Sequence, residues 1–406
     1  MNLTYTLLAS LIIVNIPTTL YAAPNLHITA LNNNTNYESA NAWLEIDKKA
    51  FEHNIKTLQV LLEDKSQICV VMKADAYGHG ISNLIPSVIA AGIPCVAIAS
   101  NEEAKVVREN GYNGRIMRVR NATPIEVSSG IKYEIEELFG DINSAQLASQ
   151  AAKEQNKILR YHLGLNSGGM SRNGLELSTE EGKAEARKFI KLKNLELVGV
   201  MTHFQYEDAN LVRKALSKFN EQAEWLINDA DLDRSKVLLH TANSFTTLEV
   251  PEARLDMVRP GAILYGDNPN YTGYKRVMTF KTRVASVNNY PAGSKVGYDG
   301  TYILKRNSLL ANLPLGYSDG YRRIFTNKAY VVINGHRAPV VGRVSMNTTM
   351  VDVTDLPNVK AGDEVVLFGE QNHSKVSKSE LEGINGALLA DLYTIWGNSN
   401  PKILKK

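Results

Sequence analysis

Eight short apolar runs between residues 69 and 265, separated by amphipathic helical segments, constrain the fold of this chain more than any other feature. Runs without a polar face are typical of parallel strands buried on both sides, and strands that alternate with helices predict a (β/α)8 barrel. An open doubly wound sheet is the alternative that this pattern leaves open. The runs are Cys69–Met72, Cys95–Ala99, Ile116–Val119, Tyr133–Glu136, Leu159–Leu165, Leu195–Thr202, Val237–His240 and Met257–Tyr265.

After Gly266 the pattern changes to short segments of alternating polarity, broken by Gly, Pro and Asn. Such segments predict antiparallel sheet, and a chain of 406 residues exceeds the usual size of a single core. We therefore predict a barrel over residues 41–269 and a smaller, mainly antiparallel β domain over residues 270–406, with residues 41–48 as a candidate partner of that domain. The predicted strands are Val277–Val287, Ser308–Leu313, Ala329–Val332, Arg337–Val341, Thr348–Val353 and Glu364–Phe368.

The first 23 residues contain no Asp, Glu, Lys or Arg, and residues 7–14 form an apolar core. Small residues at Ala22 and Ala23 suit cleavage, so residues 1–23 are predicted to be a secretory signal peptide and residues 24–40 a flexible lead-in. An uncleaved anchor is the alternative, because the usual basic start is missing. The net charge of +3 comes from interspersed charges, which argues against a nucleic-acid partner.

The chain contains two cysteines, and each opens one of the apolar runs. If Cys69 and Cys95 lie on neighbouring parallel strands, they are roughly 4.8 Å apart, which suits a disulfide bond. Export would allow such a bond to form and persist. We therefore predict a disulfide between Cys69 and Cys95, with two buried free thiols as the alternative.

One lysine closes a run that is otherwise apolar. Lys73 follows Ile68–Met72 and precedes a glycine-containing turn that ends at Gly80. A lysine at the end of a buried strand costs free energy unless its amine is used, and burial suits a lysine to Schiff-base chemistry. The alternative is a side chain that extends from the strand end into solvent.

Other polar residues follow the runs at the end where barrel enzymes gather their functional groups. His203 ends the sixth run, and Arg259 lies in the eighth. Ser244 and the backbone amides of Gly261 and Ala262 are predicted to bind a phosphate group through hydroxyl and N–H donors. Taken singly, Ser244 and Gly261 would be ordinary turn residues.

The segment Val71–Gly80, with the sequence VMKADAYGHG, resembles the pyridoxal-phosphate lysine motif of the alanine racemase family, V-K-A-[ND]-A-Y-G-H-G. The resemblance continues in the expected order from about residue 42 to residue 395, and it implies a (β/α)8 barrel with a β domain in a homodimer with shared active sites. The matching segments are Gly199–Phe204, His240–Ser244, Asp256–Ala262, Val296–Thr301, Leu315–Tyr321, Val341–Asn347 and Leu392–Ile395.

The same resemblance implies roles for individual residues, and it implies no metal. Lys73 would hold pyridoxal 5'-phosphate covalently and act as one base, while Tyr298 of the partner chain would act on the opposite face of Cα. Arg259 would donate to the pyridine nitrogen. The implied cofactor-binding residues are Lys73, Tyr77, His203, Ser244, Arg259, Gly261, Ala262 and Tyr393, and the implied substrate-binding residues are Arg172, Met346, Asn347 and Tyr317.

Departures from the family pattern change the expected substrate. Typical members carry K-x-D-T-G-M-x-R-x-G with a carbamylated lysine, and Leu165 occupies that lysine's position, so a bound anion or another neighbour is expected to support Arg172. Asn347 replaces a common aspartate, and Gly397 replaces a cysteine. These changes and the leader resemble the exported, periplasmic broad-specificity amino-acid racemases, with neutral drift as the alternative. The implied specificity fingerprint is Arg118, Arg120, Gly164, Asn166, Gly168 and Asn173.

The sequence therefore predicts a pyridoxal-phosphate-dependent racemase of free amino acids, including basic and other non-β-branched ones, with no membrane span in the mature protein. Narrow alanine racemisation is the main alternative. The second domain and Tyr298 argue against a non-catalytic cofactor carrier of the single-barrel type. A decarboxylase of the same architecture is disfavoured because its cysteine-bearing motif is not visible.

Overall fold

The computed structural model describes residues 37–169, 174–266 and 271–405, so the predicted signal peptide and residues 24–36 of the lead-in lie outside the described residues. Eight parallel strands form a nearly closed barrel, and an antiparallel β domain follows, as predicted. The first strands are β1 (Ala42–Ile46), which precedes the barrel, and β2 (Gln67–Val71), β3 (Cys95–Ile98), β4 (Arg115–Arg118), β5 (Ile135–Phe139), β6 (Leu159–Gly164), β7 (Leu195–Met201), β8 (Leu238–His240) and β9 (Met257–Val258).

Helices cover the outside of the barrel, and polar N-cap side chains begin several of them. Ser100 and Thr123 each form a capping box with a glutamate three residues later, and Asp141 and Asp208 cap two further helices. The helical segments of this part are α1 (Lys48–Leu62), the single turn α2 (Lys73–Tyr77), α3 (Ile81–Ala90), α4 (Asn101–Glu109), α5 (Pro124–Gly130), α6 (Ile142–Glu154), α7 (Glu180–Ile190), α8 (Ala209–Asp229) and α9 (Ser244–Glu249).

The barrel strands pair in sequence order from β2 to β8, and β9 pairs with β2. Backbone hydrogen bonds link β8 to β9, from the amide of Asp256 to the oxygen of Leu239 (3.0 Å) and from the amide of Arg259 to the oxygen of Ala242 (2.9 Å). Because all eight strands are parallel, their carboxyl ends meet at one face of the barrel. Lys73 follows β2 at that face.

Among the described residues, the second domain contains three β units, which are antiparallel except for the parallel pair of β1 and β20. Its largest sheet has the order β16-β15-β18-β10-β1-β20, with β19 beside β18, so β1 from the N-terminal side of the barrel pairs with β10. Two smaller units are β11-β14-β17 and β12-β13. The elements are β10 (Met278–Arg283), β11 (Ser286–Tyr290), β12 (Lys295–Val296), β13 (Tyr302–Ile303), β14 (Ser308–Leu313), β15 (Tyr330–Ile333), β16 (His336–Pro339), β17 (Thr349–Asp352), β18 (Glu364–Gln371), β19 (Ser374–Val376), α10 (Lys378–Asn385), α11 (Leu389–Ser399) and β20 (Lys402–Leu404).

Three predicted strands were placed wrongly. The fourth barrel strand was predicted at Tyr133–Glu136, but Glu134 has a left-handed φ of 55° that ends a 3-10 turn, and the strand begins at Ile135. The eighth was predicted to continue to Tyr265, but it ends at Val258, because Pro260 lacks an amide and residues 262–265 form a 3-10 turn. The run Val277–Val287 forms two strands, because the chain changes sheets between β10 and β11.

The predicted disulfide is present. Cys69 on β2 and Cys95 on β3 are direct partners across the parallel pair, and their sulfur atoms are bonded with 4.3 Å between the Cα atoms. Both side chains are buried in a cluster of apolar residues inside the barrel. Within the described residues, no helix is long and apolar enough to cross a membrane.

Candidate active site

Lys73 begins a turn in which the next four residues all have left-handed backbone angles. The φ angles of Ala74, Asp75, Ala76 and Tyr77 lie between 51° and 55°. Residues with a Cβ atom rarely adopt this conformation in succession, because each one costs roughly 1–2 kcal/mol. Such a turn persists only where surrounding contacts fix it, and it places Lys73 at the carboxyl end of β2.

His79 fixes this turn from inside the protein. Its Nδ1 atom lies 2.9 Å from the carbonyl oxygens of both Ala76 and Tyr77, so Nδ1 carries the proton and donates to them. The ring is buried, and burial lowers the pKa of the His79 imidazole to about 4. His79 is therefore neutral at physiological pH.

Charged side chains hold the outer side of the turn. Asp75 accepts a hydrogen bond from the amide of Ile81 at 2.8 Å, and its carboxylate lies 3.1 Å from Nζ of Lys402 on β20. Glu103 on α4 accepts from the amide of Asp75 at 3.2 Å. The last strand of the β domain therefore contacts the turn that carries Lys73.

Aromatic rings pack behind the turn. The ring centroid of Tyr77 lies 4.8 Å from that of Tyr265 and 6.2 Å from that of Tyr393 on α11. Tyr265 donates its hydroxyl to the carbonyl oxygen of Val71 at 2.8 Å, and burial raises the pKa of this hydroxyl, so it remains a donor. Tyr265 thus ties the end of β2 to the cluster, a contact that the apolar run around it did not predict.

Hydroxyl and backbone donors converge beside Tyr77. The Oγ atom of Ser244 accepts hydrogen bonds from the amides of Gly261 (3.1 Å) and Ile263 (3.4 Å), and Ala262 lies between them at the start of a 3-10 turn. A Cβ atom on Gly261 would lie 2.3 Å from Oη of Tyr77. Glycine at this position therefore allows the phenol to reach the backbone, and the result is a small cradle of donors.

Arg259 lies fully inside the barrel. Its guanidinium donates to Nδ1 of His240 (2.5 Å) and to the carbonyl oxygens of Thr202 (2.9 Å) and Thr241 (3.3 Å). Burial lowers the pKa of Arg259 to about 9, so the group keeps its charge near neutral pH. His203 follows Thr202 directly, so its backbone leaves β7 next to this contact.

A second group of predicted site residues lies together on the β domain. The carbonyl oxygen of Ser345 accepts a hydrogen bond from the amide of Tyr317 at 3.1 Å. Ser345, Tyr317 and Tyr298 line one surface pocket. The side chain of Asn347 donates to Oγ of Ser318 at 2.8 Å. Tyr298 is 69% exposed, Met346 55% and Tyr317 42%, so none of these side chains is buried against the barrel of its own chain.

The two fingerprint arginines make ion pairs. Arg118 is completely buried and forms a bidentate pair with Glu137, at 2.7 and 3.1 Å, together with a contact of 2.5 Å to Asn101. Arg120 pairs with Glu126 at the surface at 2.5 Å. Arg118 therefore joins β4 to β5 through a buried ion pair.

Two further fingerprint residues, Asn166 and Gly168, lie in the loop after β6. Asn166 donates to Glu176 at 2.8 Å, and a Cβ atom on Gly168 would lie 2.2 Å from Cβ of Ala215, so Gly168 permits close packing on α8. Gly164 is the last residue of β6.

No lysine side chain is available where the family has one. Leu165 is completely buried, and Gly164 before it has no side chain, so neither offers an amine. Arg172 and Asn173 lie outside the described residues.

The fold and these residues define a barrel protein in which Lys73 follows β2, and Ser244 and Arg259 follow the last two barrel strands. The alanine racemase N-terminal domain matches residues 46–269, and the alanine racemase C-terminal domain matches residues 277–404. The chain belongs to the alanine racemase family, and it is an amino-acid racemase.

Relatives and solved structures agree with this family. The chain is 61% identical to a broad specificity amino-acid racemase of Pseudomonas taetrolens over 95% of this chain and 94% of the relative. It is 49% identical to a lysine racemase of Proteus mirabilis, over 90% and 89% of the two chains. An alanine racemase structure from Bartonella henselae with covalently bound pyridoxal phosphate has a TM-score of 0.77 at 28% identity, over 90% and 99% of the chains.

The residues of the barrel face fit pyridoxal phosphate. The cofactor needs an amine, donors for a dianionic phosphate and a partner for its ring nitrogen. Lys73 would provide the amine, and the hydroxyls of Ser244 and Tyr77 would provide neutral donors beside Gly261, where the missing Cβ atom leaves room for the Tyr77 phenol. Arg259 provides a charged donor inside the barrel.

Proposed function

We propose that Lys73 holds pyridoxal 5'-phosphate covalently and that the enzyme interconverts L- and D-amino acids with two bases. The observation that carries the proposal is the position of Lys73 at the carboxyl end of β2, on a turn fixed by His79 and Asp75 and beside the donor cradle of Ser244 and Gly261. His203, Ala262 and Tyr393 complete the proposed cofactor site.

Two bases on opposite faces of Cα are what inversion of configuration requires. When bound, the cofactor supplies an electron-withdrawing ring that stabilises the negative charge left on Cα after proton removal. Once the amino group of the substrate has displaced it from the cofactor, the amine of Lys73 would accept or return the proton on one face, and the hydroxyl of Tyr298 would do so on the other. Arg259 would donate to the ring nitrogen and keep it unprotonated, which would moderate electron withdrawal and favour reprotonation at Cα.

Tyr298 is proposed to act on the site of a partner chain in a homodimer. Tyr298, Met346 and Tyr317 are large apolar or aromatic side chains that are exposed on one face of the β domain. Exposed patches of this kind are typical of interaction surfaces. Placing this face against the barrel of a second copy would bring Tyr298 to Lys73 of that copy, and the backbone amide of Met346 to the substrate carboxylate.

The proposed substrates are free amino acids without a β-branch, including basic ones. The broad specificity and lysine racemases that resemble this chain support this range. The proposed substrate contacts are Arg172, Met346, Asn347 and Tyr317, with a bound anion near Arg172 in place of the carbamylated lysine. The fingerprint residues would influence the substrate range, and narrow alanine racemisation is the competing function.

Export to the periplasm is part of the proposal. The uncharged apolar leader supports a signal peptide over residues 1–23, followed by the lead-in of residues 24–40. The bonded Cys69–Cys95 pair suits an oxidising compartment. The proposed domains are residues 41–269 and 270–406.

Deuterium exchange at Cα in heavy water tests the two-base assignment. The wild-type enzyme should exchange the Cα hydrogen of both enantiomers, whereas Tyr298→Phe should exchange that of only one and should lose racemisation in both directions. Racemisation by Tyr298→Phe at the wild-type rate would refute the role of Tyr298. Measuring loss of optical rotation with L-Ala, L-Lys, L-Arg, L-Met and L-Ser separates broad from narrow specificity.

A further inference from the structure

Four buried polar side chains form one hydrogen-bonded chain through the inside of the barrel. Arg259 donates to Nδ1 of His240 at 2.5 Å, Nε2 of His240 lies 2.9 Å from Nδ1 of His162, and Nε2 of His162 lies 3.0 Å from Oε2 of Glu136. All four side chains are at most 4% exposed. We call this arrangement the Arg259–Glu136 chain.

The two ends of the chain decide where every proton lies. Arginine only donates, and an ionised carboxylate only accepts. Nδ1 of His240 must therefore be an acceptor, so its Nε2 carries a proton and donates to His162. By the same argument Nε2 of His162 carries a proton and donates to Glu136, so both imidazoles are neutral.

The electrostatics of the barrel interior agree with this assignment. Burial lowers the pKa of both His162 and His240, so neither ring gains a second proton near neutral pH. Burial acts to raise the pKa of Glu136, but the hydrogen bond from His162 and the charges of Arg115 and Arg160 outweigh it, and the pKa lies below its usual value. Glu136 is therefore ionised.

The backbone makes room for this chain at one point. The pairing of β6 with β7 shifts register between Tyr161 and His162, and the shift places His162 opposite Gly199. A Cβ atom on Gly199 would lie 2.2 Å from Nδ1 of His162. Gly199 and the irregular register therefore leave room for the imidazole of His162, which connects His240 to Glu136.

We propose that Glu136 and His162 are positioning residues: by fixing the direction of hydrogen-bond donation through His240, they hold the Arg259 guanidinium in one orientation toward the cofactor ring. This inference rests on the proposed role of Arg259 at that ring. Without the carboxylate the chain can reverse, because a neutral partner can donate to His162. His240 would then present an N–H group to Arg259, and two donors would face each other.

Neutron diffraction from deuterated crystals of the holoenzyme tests the proton positions without any substitution. Deuterium is expected on Nε2 of both His162 and His240, with both Nδ1 atoms bare. Deuterium on Nδ1 of either ring would overturn the proposal.

Glu136→Gln tests the coupling to the cofactor. The substitution keeps the size and removes the charge, so the visible absorbance spectrum of the bound pyridoxal phosphate should change, and kcat should fall about tenfold with little change in KM. Glu137→Gln is the matched control, since Glu137 is the adjacent, equally buried carboxylate of β5 but bonds to Arg118. The control should lower the thermal midpoint and leave the spectrum unchanged.

Gly199→Ala displaces His162 without altering a charge and should reproduce the spectral change, so the test remains available if Glu136→Gln does not fold. A wild-type spectrum and kcat in either folded variant would refute the positioning role. Failure of the wild-type enzyme to bind pyridoxal phosphate or to racemise any amino acid would instead refute the proposed function, whatever the proton positions are.

Discussion

Gly397 on α11 packs against Gly78 at the end of the lysine-bearing turn, so closely that a Cβ atom on Gly397 would lie 2.3 Å from the carbonyl oxygen of Gly78. The contact is backbone against backbone, because a Cβ atom on Gly78 would in turn lie 2.1 Å from the oxygen of Tyr393. The C-terminal helix of the β domain is therefore seated directly on the turn that positions Lys73.

Gly397→Ala is expected to weaken cofactor binding more than it lowers the stability of the fold. The added methyl group must push α11 or the turn apart, at a cost of about 1–3 kcal/mol in the free energy of unfolding. Because a shift of the turn also shifts Lys73, the dissociation constant of pyridoxal phosphate should rise about tenfold or more. Titration of the cofactor-free protein and urea unfolding measure the two effects.

Gly383→Ala is the control for this prediction. Gly383 lies on the exposed side of α10, and nothing lies within 4 Å of an added Cβ atom. Alanine there should stabilise the helix slightly and leave the dissociation constant unchanged. Equal cofactor binding by Gly397→Ala and the wild-type protein would show that the turn does not depend on α11.

His79 should make the protein less stable as the pH falls. Its pKa in the folded state is about 4, against an ordinary value of 6.5, so between these values the unfolded chain binds a proton that the folded protein does not. The free energy of unfolding should therefore decrease by up to about 3 kcal/mol as the pH falls from 6.5 to 4. Urea unfolding at a series of pH values measures this slope.

His79→Gln removes the titrating group, so the difference in the free energy of unfolding between variant and wild type should change with pH over that interval. His162 and His240 contribute in the same direction, since burial also lowers the pKa of each, so only the difference curve isolates His79. His373→Gln, on an exposed turn between β18 and β19, should follow the wild-type curve. Parallel curves for His79→Gln and the wild type would contradict the assignment.

The positions of the proposed site residues were predictable wherever a simple rule connects sequence to space. A residue that follows a parallel barrel strand lies at one face, so Lys73, His203 and Arg259 could be placed there from the eight apolar runs alone. The disulfide followed from strand adjacency, because β2 and β3 are neighbours in both sequence and space.

The contacts that fix those residues were not predictable, because they depend on register and backbone shape. Glu136 and Glu137 gave the fourth strand a polar sequence although both are buried, one facing the barrel interior and one pairing with Arg118. The connection of His162 to His240 depends on the register shift opposite Gly199. The residue types that follow Lys73 do not indicate that four successive residues adopt left-handed backbone angles.

The disulfide should stabilise the protein by an amount set mainly by the loop that it closes. Cys69 and Cys95 are 26 residues apart, and closing a loop of this length is worth about 3 kcal/mol through the entropy of the unfolded chain. The double variant Cys69→Ala/Cys95→Ala should lose about that free energy of unfolding.

Reductant separates this effect from packing. A thiol reductant should lower the urea midpoint of the wild-type protein and leave that of the double variant unchanged, since it has no cysteine left. Identical midpoints for the wild-type protein with and without reductant would mean that the bond contributes no stability.

Co-expression of two inactive variants tests whether the sites are shared between chains. A heterodimer of Lys73→Ala and Tyr298→Phe chains, purified through two different tags, contains one site with both residues intact if Tyr298 reaches across the interface. That heterodimer should show about half the wild-type activity, because one of two equivalent sites is restored by symmetry. If Tyr298 served its own chain, each site would lack one base and the heterodimer would be as inactive as the parents. A heterodimer of Lys73→Ala with wild type retains one intact site in either arrangement. Its activity is therefore the reference value for a dimer with one working site of two.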